Sequence, residues 1–310
     1  MKFIKGALIL FLLSMVFYLG IFFTLNKITV SEKPLIYSLN YDLVWEGGNS
    51  YDRFREFDES RDFDVLVMGS SHAYRGFDPR IFKKEDQEMF NLGSSSQSLI
   101  DTEILFDELV NKEHVKLVIL EISPMSFSGD SYESTAYLVA NIPNDDIAFK
   151  LVRNRADMKG FNLYTQRLFR KLEDKPLFES SDYIGNGYCE KFDSLNSDIT
   201  YSTFKNYSPK EEYVDALINI VSKAKERKIN LLLVTQPLPI ETDHTIFAEF
   251  HNVIKTHAED YGVTYLDYTF SLPLDSKDHF YDHSHLNQSG VNIFNERLLK
   301  DLKDLNLMPE

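Results

Sequence analysis

The apolar residues of this chain fall into three patterns. The first is continuous: residues 6–25 read GALILFLLSMVFYLGIFFTL, twenty positions without a charge. At about 1.5 Å per residue, such a run crosses the ~30 Å hydrocarbon core of a bilayer as one helix. A cleaved signal peptide has a similar basic start and apolar centre, but the run is long and no small-x-small site lies in the following NKITVSEK. An uncleaved anchor is therefore the preferred reading. The second pattern is short apolar runs bounded by turn residues, at 64–68, 115–122, 229–235 and 262–266. Each reads as a strand buried on both faces of a parallel sheet. The third is helical periodicity over 98–111, 209–227, 246–261 and 289–305. Strands alternating with helices predict an α/β fold with a parallel sheet covered on both sides.

These patterns divide the chain into a cytoplasmic tip and transmembrane anchor (1–25), a stalk or linker merging into a first helix (26–60), and an α/β domain (61–305). Lys2 and Lys5 before the apolar run, against Lys27 close behind it, predict a cytoplasmic N-terminus and a domain on the far side of the membrane. The stretch at about 124–208 is too long for a simple crossover and reads as an insertion or lid, with Pro143, Asn144, a basic amphipathic piece at 164–171 and the turn Gly185-Asn186-Gly187. Its aromatics Phe161, Tyr164, Phe169, Tyr183 and Tyr188 could stack on sugar rings, although a small core is the preferred reading. Composition then excludes some classes. With 33 basic against 48 acidic side chains, a net charge of −15, the protein is no general nucleic-acid binder. The single cysteine, Cys189, excludes an intramolecular disulfide framework and a cysteine zinc cluster.

Candidate chemistry begins where the first strand ends, at Met68-Gly69-Ser70-Ser71-His72. Ligands of open α/β sheets bind outside the carboxyl ends of the strands, so a serine here is placed to act as a nucleophile. Taken alone it is more often an ordinary helix N-cap. The far end of the chain changes that balance: Tyr281-Asp282-His283-Ser284-His285-Leu286-Asn287 precedes the last helix. A serine needs a base, and the base a carboxylate that fixes its tautomer; His285 and Asp282, three residues apart, supply both from one loop. Two competing readings stay open: Asp282, His283 and His285 as metal ligands, and His285 as a cap or core partner.

With these residues the chain resembles the SGNH (GDSL-like) hydrolase superfamily, in its membrane-anchored bacterial branch with Gly-Ser-Ser in place of Gly-Asp-Ser. The resemblance covers about residues 61–305 and implies a flavodoxin-like three-layer α/β/α sandwich. It makes Ser71 the nucleophile and its N–H an oxyanion donor, with Gly93 of Phe90-Asn91-Leu92-Gly93 as the second donor. It makes Asp282 and His285 the partners of Ser71, and the following Leu286-Asn287-x-x-Gly290 fits the same branch. Two departures matter: Ser70 stands where the family has aspartate, and the third-block Gly-x-Asn-Asp is absent, the chain reading Leu120-Glu121-Ile122-Ser123-Pro124. Ser70, His72, Glu121, Ser123 and Gln236 are the remaining pocket candidates. The implied activity is that of a serine esterase or O-acyltransferase acting on acyl, chiefly acetyl, esters of a cell-envelope polysaccharide. It needs no cofactor or metal, and works at the outer face of a bacterial cytoplasmic membrane, beside a multispanning acyltransferase partner. The alternative is a catalytically silent module that binds a glycan or that membrane partner.

Overall fold

The computed structural model describes residues 2–31, 33–36, 48–128, 131–170, 182–195, 208–242 and 244–309. Parts of the expected linker (37–47) and insertion (171–181 and 196–207) lie outside the described residues.

Among the described residues five parallel strands form the central sheet: β1 (Phe63–Met68), β2 (Met89–Asn91), β3 (Val115–Glu121), β4 (Asn230–Thr235) and β5 (Thr264–Asp267). Their order is β2-β1-β3-β4-β5, the doubly wound arrangement of flavodoxin-like folds. The apolar runs explain it, since strands buried on both faces need no alternation with polar residues. Successive side chains point to opposite faces, and the burial divides accordingly. Leu66, Met68, Val118, Leu120 and Leu233 join one apolar cluster, whereas Val65, Val67, Leu117, Ile119, Leu232 and Val234 join another. The result is three layers. The last strand differs slightly from expectation: it begins at Thr264, because Gly262 at φ +68° is still turning the chain out of the preceding helix.

Helices are labelled in chain order: α1 (Lys2–Lys27), α2 (Gly48–Glu56), α3 (Ser71–Gly76), α4 (Pro79–Lys83), α5 (Leu99–Leu109), α6 (Tyr132–Asn141), α7 (Asp145–Arg155), α8 (Met158–Arg170), α9 (Glu211–Arg227), α10 (His244–Tyr261) and α11 (Gln288–Asp304). Helices α5 to α10 contribute to the first cluster, and α3, α4 and α11 to the second. The insertion helices thus share the main core: Leu138, Leu151, Val152 and Leu163 are buried in it. A short hairpin, Tyr183–Gly185 with Tyr188–Cys189, closes on the edge of the sheet, where Asn91 N–H donates to Asn186 O at 3.0 Å. Gly187, at φ +79°, has no Cβ to collide with the Asn91 carbonyl. Helix α2 is packed into the domain: Arg53 is buried, its guanidinium lies 4.0 Å over the Tyr74 ring, and it donates to Gly93 O and to Ser50 Oγ.

Candidate active site

The site lies at the carboxyl ends of β1 and β3. β1 ends in Gly69, whose φ of +144° and close packing both demand glycine: a Cβ there would lie 2.7 Å from Glu121 Cβ. The chain then enters α3, capped by Ser70, whose Oγ accepts from His72 N–H at 3.3 Å. That turn presents Ser71 to the loop before α11. His285 Nε2 lies 2.7 Å from Ser71 Oγ, although 214 positions separate them in sequence. His285 Nδ1 faces Asp282 Oδ2 at 2.8 Å and Oδ1 at 3.0 Å. A carboxylate accepts only, so Nδ1 carries the proton and Nε2 is the bare nitrogen facing the serine hydroxyl. Asp282 Oδ1 also accepts from the amides of Ser284 (2.9 Å) and His285 (2.8 Å), which ties the pair into one turn. Burial alone would raise the Asp282 pKa, but the hydrogen bond and charge of His285 and these two amides hold it well below the usual carboxylate range.

The loop is held by the residues after it. Asn287 caps α11 by accepting from Gly290 N–H at 3.1 Å, while its Nδ2 donates to Asp278 O at 2.8 Å. A Cβ on Gly290 would collide with the His279 carbonyl. Asn295, fully buried one turn further along α11, donates to Gly76 O at 2.7 Å and accepts from Asp78 N–H at 3.0 Å. It joins the helix behind the base to the end of the helix behind the nucleophile.

Behind the triad runs a second chain of hydrogen bonds. His72 stacks on His285 with ring centroids 4.7 Å apart, and its Nε2 lies 3.1 Å from Ser284 O. The carbonyl accepts only, so Nε2 carries the hydrogen; burial, and then the neighbouring His285, lower the His72 pKa to about 3. His72 is therefore neutral, with a bare Nδ1 at 3.3 Å from Ser70 Oγ. Ser70 Oγ also lies 2.8 Å from Glu121 Oε2, which accepts Ser70 N–H at 2.8 Å as well. One hydroxyl proton cannot serve two acceptors. Burial pushes Glu121 up to about 7, against the pull of its two Ser70 hydrogen bonds. The nearer acceptor, Glu121 Oε2, takes both the hydroxyl and the amide hydrogen of Ser70, and His72 Nε2 donates to Ser284 O.

The other expected pocket residues are scaffolding. Gln236 is buried and donates to His72 O at 2.7 Å, filling the space beside Gly76 where a Cβ would collide with it. Ser123 caps the short turn Pro124–Phe127 with Ser126 and is also buried.

Gly93 requires a correction. Expected as the second oxyanion donor, it gives its N–H to Asn91 Oδ1 at 3.0 Å. Its lack of a side chain serves packing instead: a Cβ would lie 2.6 Å from Ala73 Cβ and 2.9 Å from both Ser70 O and Tyr74 N. In this region the amides of Ser71 and, in the turn following Gly93, of Ser95 and Ser96 have no backbone acceptor among the described residues. Ser96 adopts φ +49° in that turn, and Ser95 Oγ lies 3.3 Å from Tyr74 OH on α3. Sequence reasoning also missed Arg53, Asn91, Tyr281 and Asn295. Tyr281 stacks on His285 at 5.5 Å, and Arg75 of α3 lies 5.4 Å over its ring. The arginine of a charged run and an asparagine inside a helix carry no local mark of burial.

No family model matches the chain, and no curated protein matches it. Among solved structures it is similar to a GDSL-like lipase from Bacteroides thetaiotaomicron, at 13% identity over 83% of this chain and 98% of that one, with a TM-score of 0.42. It is similar too to an acetyl xylan esterase from Geobacillus stearothermophilus, at 13% identity over 79% of this chain and 97% of that one, again with a TM-score of 0.42.

Proposed function

We propose that this protein is a serine esterase or O-acyltransferase of SGNH type, anchored in a membrane by α1 and acting on acyl esters of a cell-envelope glycan. The observation that carries the reading is the 2.7 Å contact of Ser71 Oγ with a His285 whose other nitrogen faces Asp282. His285 takes the Ser71 proton as Oγ attacks the ester carbonyl. The negative charge on the carbonyl oxygen is met by Ser71 N–H and by the free amides of the 95–96 turn, each such donor being worth about 3 kcal/mol in a preorganised hole. The imidazolium, stabilised by Asp282, returns the proton to the departing alkoxide, which leaves Ser71 acylated. A second hydroxyl then attacks with His285 as base and restores Ser71. Water at that step gives an esterase, and a sugar hydroxyl gives a transferase. The absent third-block asparagine is replaced in this scheme by backbone donors, while Glu121, at the end of β3, holds the nucleophile turn.

The test is hydrolysis of a chromogenic acetyl ester by the full chain in detergent, beside Ser71→Ala and His285→Ala, with mass spectrometry of the acylated serine. Adding acetylatable oligosaccharides separates transferase from esterase. A folded protein with no activity above its variants, and no acyl group on Ser71, would leave a glycan-binding module as the better account.

A further inference from the structure

Helix α1 is not an isolated rod. Residues 2–17 are exposed, but from Tyr18 onward α1 packs against the domain. Tyr18 OH donates to Asn162 Oδ1 at 2.6 Å and lies 3.4 Å from Thr165 Oγ1, and the rings of Phe23 and Phe169 are 6.2 Å apart. Phe22 is buried in the main apolar cluster, with Tyr18 and Leu25 against it. The helix that α1 meets is therefore α8, in the insertion.

α8 has a second face. Met158, Phe161 and Leu168, spaced so that they fall on one side of a helix, are 67%, 51% and 50% exposed. Phe149 of α7, 5.6 Å from Tyr164, extends the stripe and is itself 45% exposed. From residue 48 onward the described residues expose eight large apolar side chains, and these four are half of them. They sit on α8, which packs against α1, and on its neighbour α7, which makes a random scatter a poor explanation.

Depth decides what covers this face. Tyr18 lies seven residues before the end of the uncharged run at Leu25, or roughly 10 Å along the helix axis. If that run spans the hydrocarbon, the Tyr18–Asn162 contact lies below its outer boundary. Surface helices enter the headgroup–acyl boundary to about 5–10 Å, and tyrosine concentrates there. The polar pair at this level also satisfies itself, as a site shielded from water requires. We infer that the Met158–Phe161–Leu168 face of α8, with Phe149, is seated in the outer leaflet, so that the domain rests on the bilayer through its insertion as well as through α1. The inference depends on α1 being the anchor. Its consequence is a fixed height and tilt of the Ser71 site over the membrane, in place of a domain swinging on a linker.

The experiment uses the full chain in vesicles of phosphatidylethanolamine and phosphatidylglycerol, with bimane attached to single introduced cysteines. The native Cys189 is buried, and unsubstituted protein gives the background. Phe161→Cys and Leu168→Cys report on the proposed face, Phe192→Cys on open solvent, and Leu12→Cys on the middle of α1. Labels at 161 and 168 should be quenched several-fold more by nitroxide-bearing lipids than the label at 192, and several-fold less by iodide. Iodide quenching at 161 and 168 beside lipid quenching at 12 overturns the inference and leaves the anchor intact. Protection from both quenchers also overturns it, since a second copy or another protein then covers the face. A label at 12 that is open to iodide, or removed by cleavage, overturns both readings together.

Discussion

His285 and His251 each carry an aspartate on Nδ1 and a hydroxyl near Nε2. In the first set the distances are 2.8 Å to Asp282 and 2.7 Å to Ser71; in the second they are 3.1 Å to Asp267 and 3.2 Å to Thr269 Oγ1. What separates them is the direction of the hydroxyl proton and the backbone around it. Thr269 donates to Asp267 Oδ1 at 2.7 Å, is buried, and also gives its amide to the same oxygen at 3.0 Å. With its hydrogen committed to Asp267, the Thr269 hydroxyl has no proton to surrender to His251. Ser71 is partly exposed at the start of a helix, with its own amide free among the described residues and no carboxylate on its Oγ. The same three kinds of side chain clamp the end of β5 in one place and leave a serine hydroxyl facing a bare imidazole nitrogen in the other.

The strongest test of that contrast is a paired removal of hydroxyls. Ser71→Ala should lower ester turnover by roughly 10⁴-fold or more, whereas Thr269→Val should leave kcat within about three-fold and show its effect in thermal stability. The aspartates come next. Asp282→Asn should cost about 10³- to 10⁴-fold in kcat, because the amide cannot hold the Nδ1–H tautomer; Asp267→Asn should leave the activity essentially unchanged. Equal losses in the two pairs would mean that the second constellation is catalytic after all.

Glu121 sharpens the comparison further, since burial raises the pKa of the carboxyl that holds the Ser70 turn. A carboxyl held at about 7 when folded, against 4.5 for the free group, keeps its proton through a range in which the unfolded chain has lost it. Its contribution to stability is therefore full below about pH 4.5, falls between about 4.5 and 7, and is constant above; the drop is on the order of 3 kcal/mol. Glu121→Gln, which mimics the neutral acid, should flatten this part of the stability profile in denaturant titrations at pH 5 and pH 8. An unchanged profile would show Glu121 ionised in the native state. The smallest effect is expected at Gly93: Gly93→Ala must displace α3 or its own loop at about 1–3 kcal/mol, and should lower kcat more than it raises KM.

Much of the fold was legible because its signals are local. Four of the five strands of the sheet were visible as apolar runs, and the fifth, Met89–Asn91, is only three residues long and was noticed through the glycine that follows it. Asp282 and His285 are three positions apart on one turn, so their pairing needed no tertiary information. Gly93 illustrates the limit. Its presence after a strand was readable, but Asn91, two residues away, competes for its amide, and α3 presses on its Cα. Arg53 was read as part of a charged linker because nothing in Tyr51-Asp52-Arg53-Phe54-Arg55-Glu56 says which charge is buried.

The sequence by itself therefore determined the period of each element, the parallel α/β order, the apolar length of α1, and a hydroxyl and a His–Asp turn at the ends of strands. The tertiary structure alone decided that Ser71 meets His285 and Thr269 meets His251, which amide near Gly93 is free, and that Glu121 is buried. It also placed α8 against Tyr18. The physical reason is one of range: periodicity and capping act over three or four residues, whereas desolvation and the competition of donors for acceptors depend on neighbours brought together only by folding.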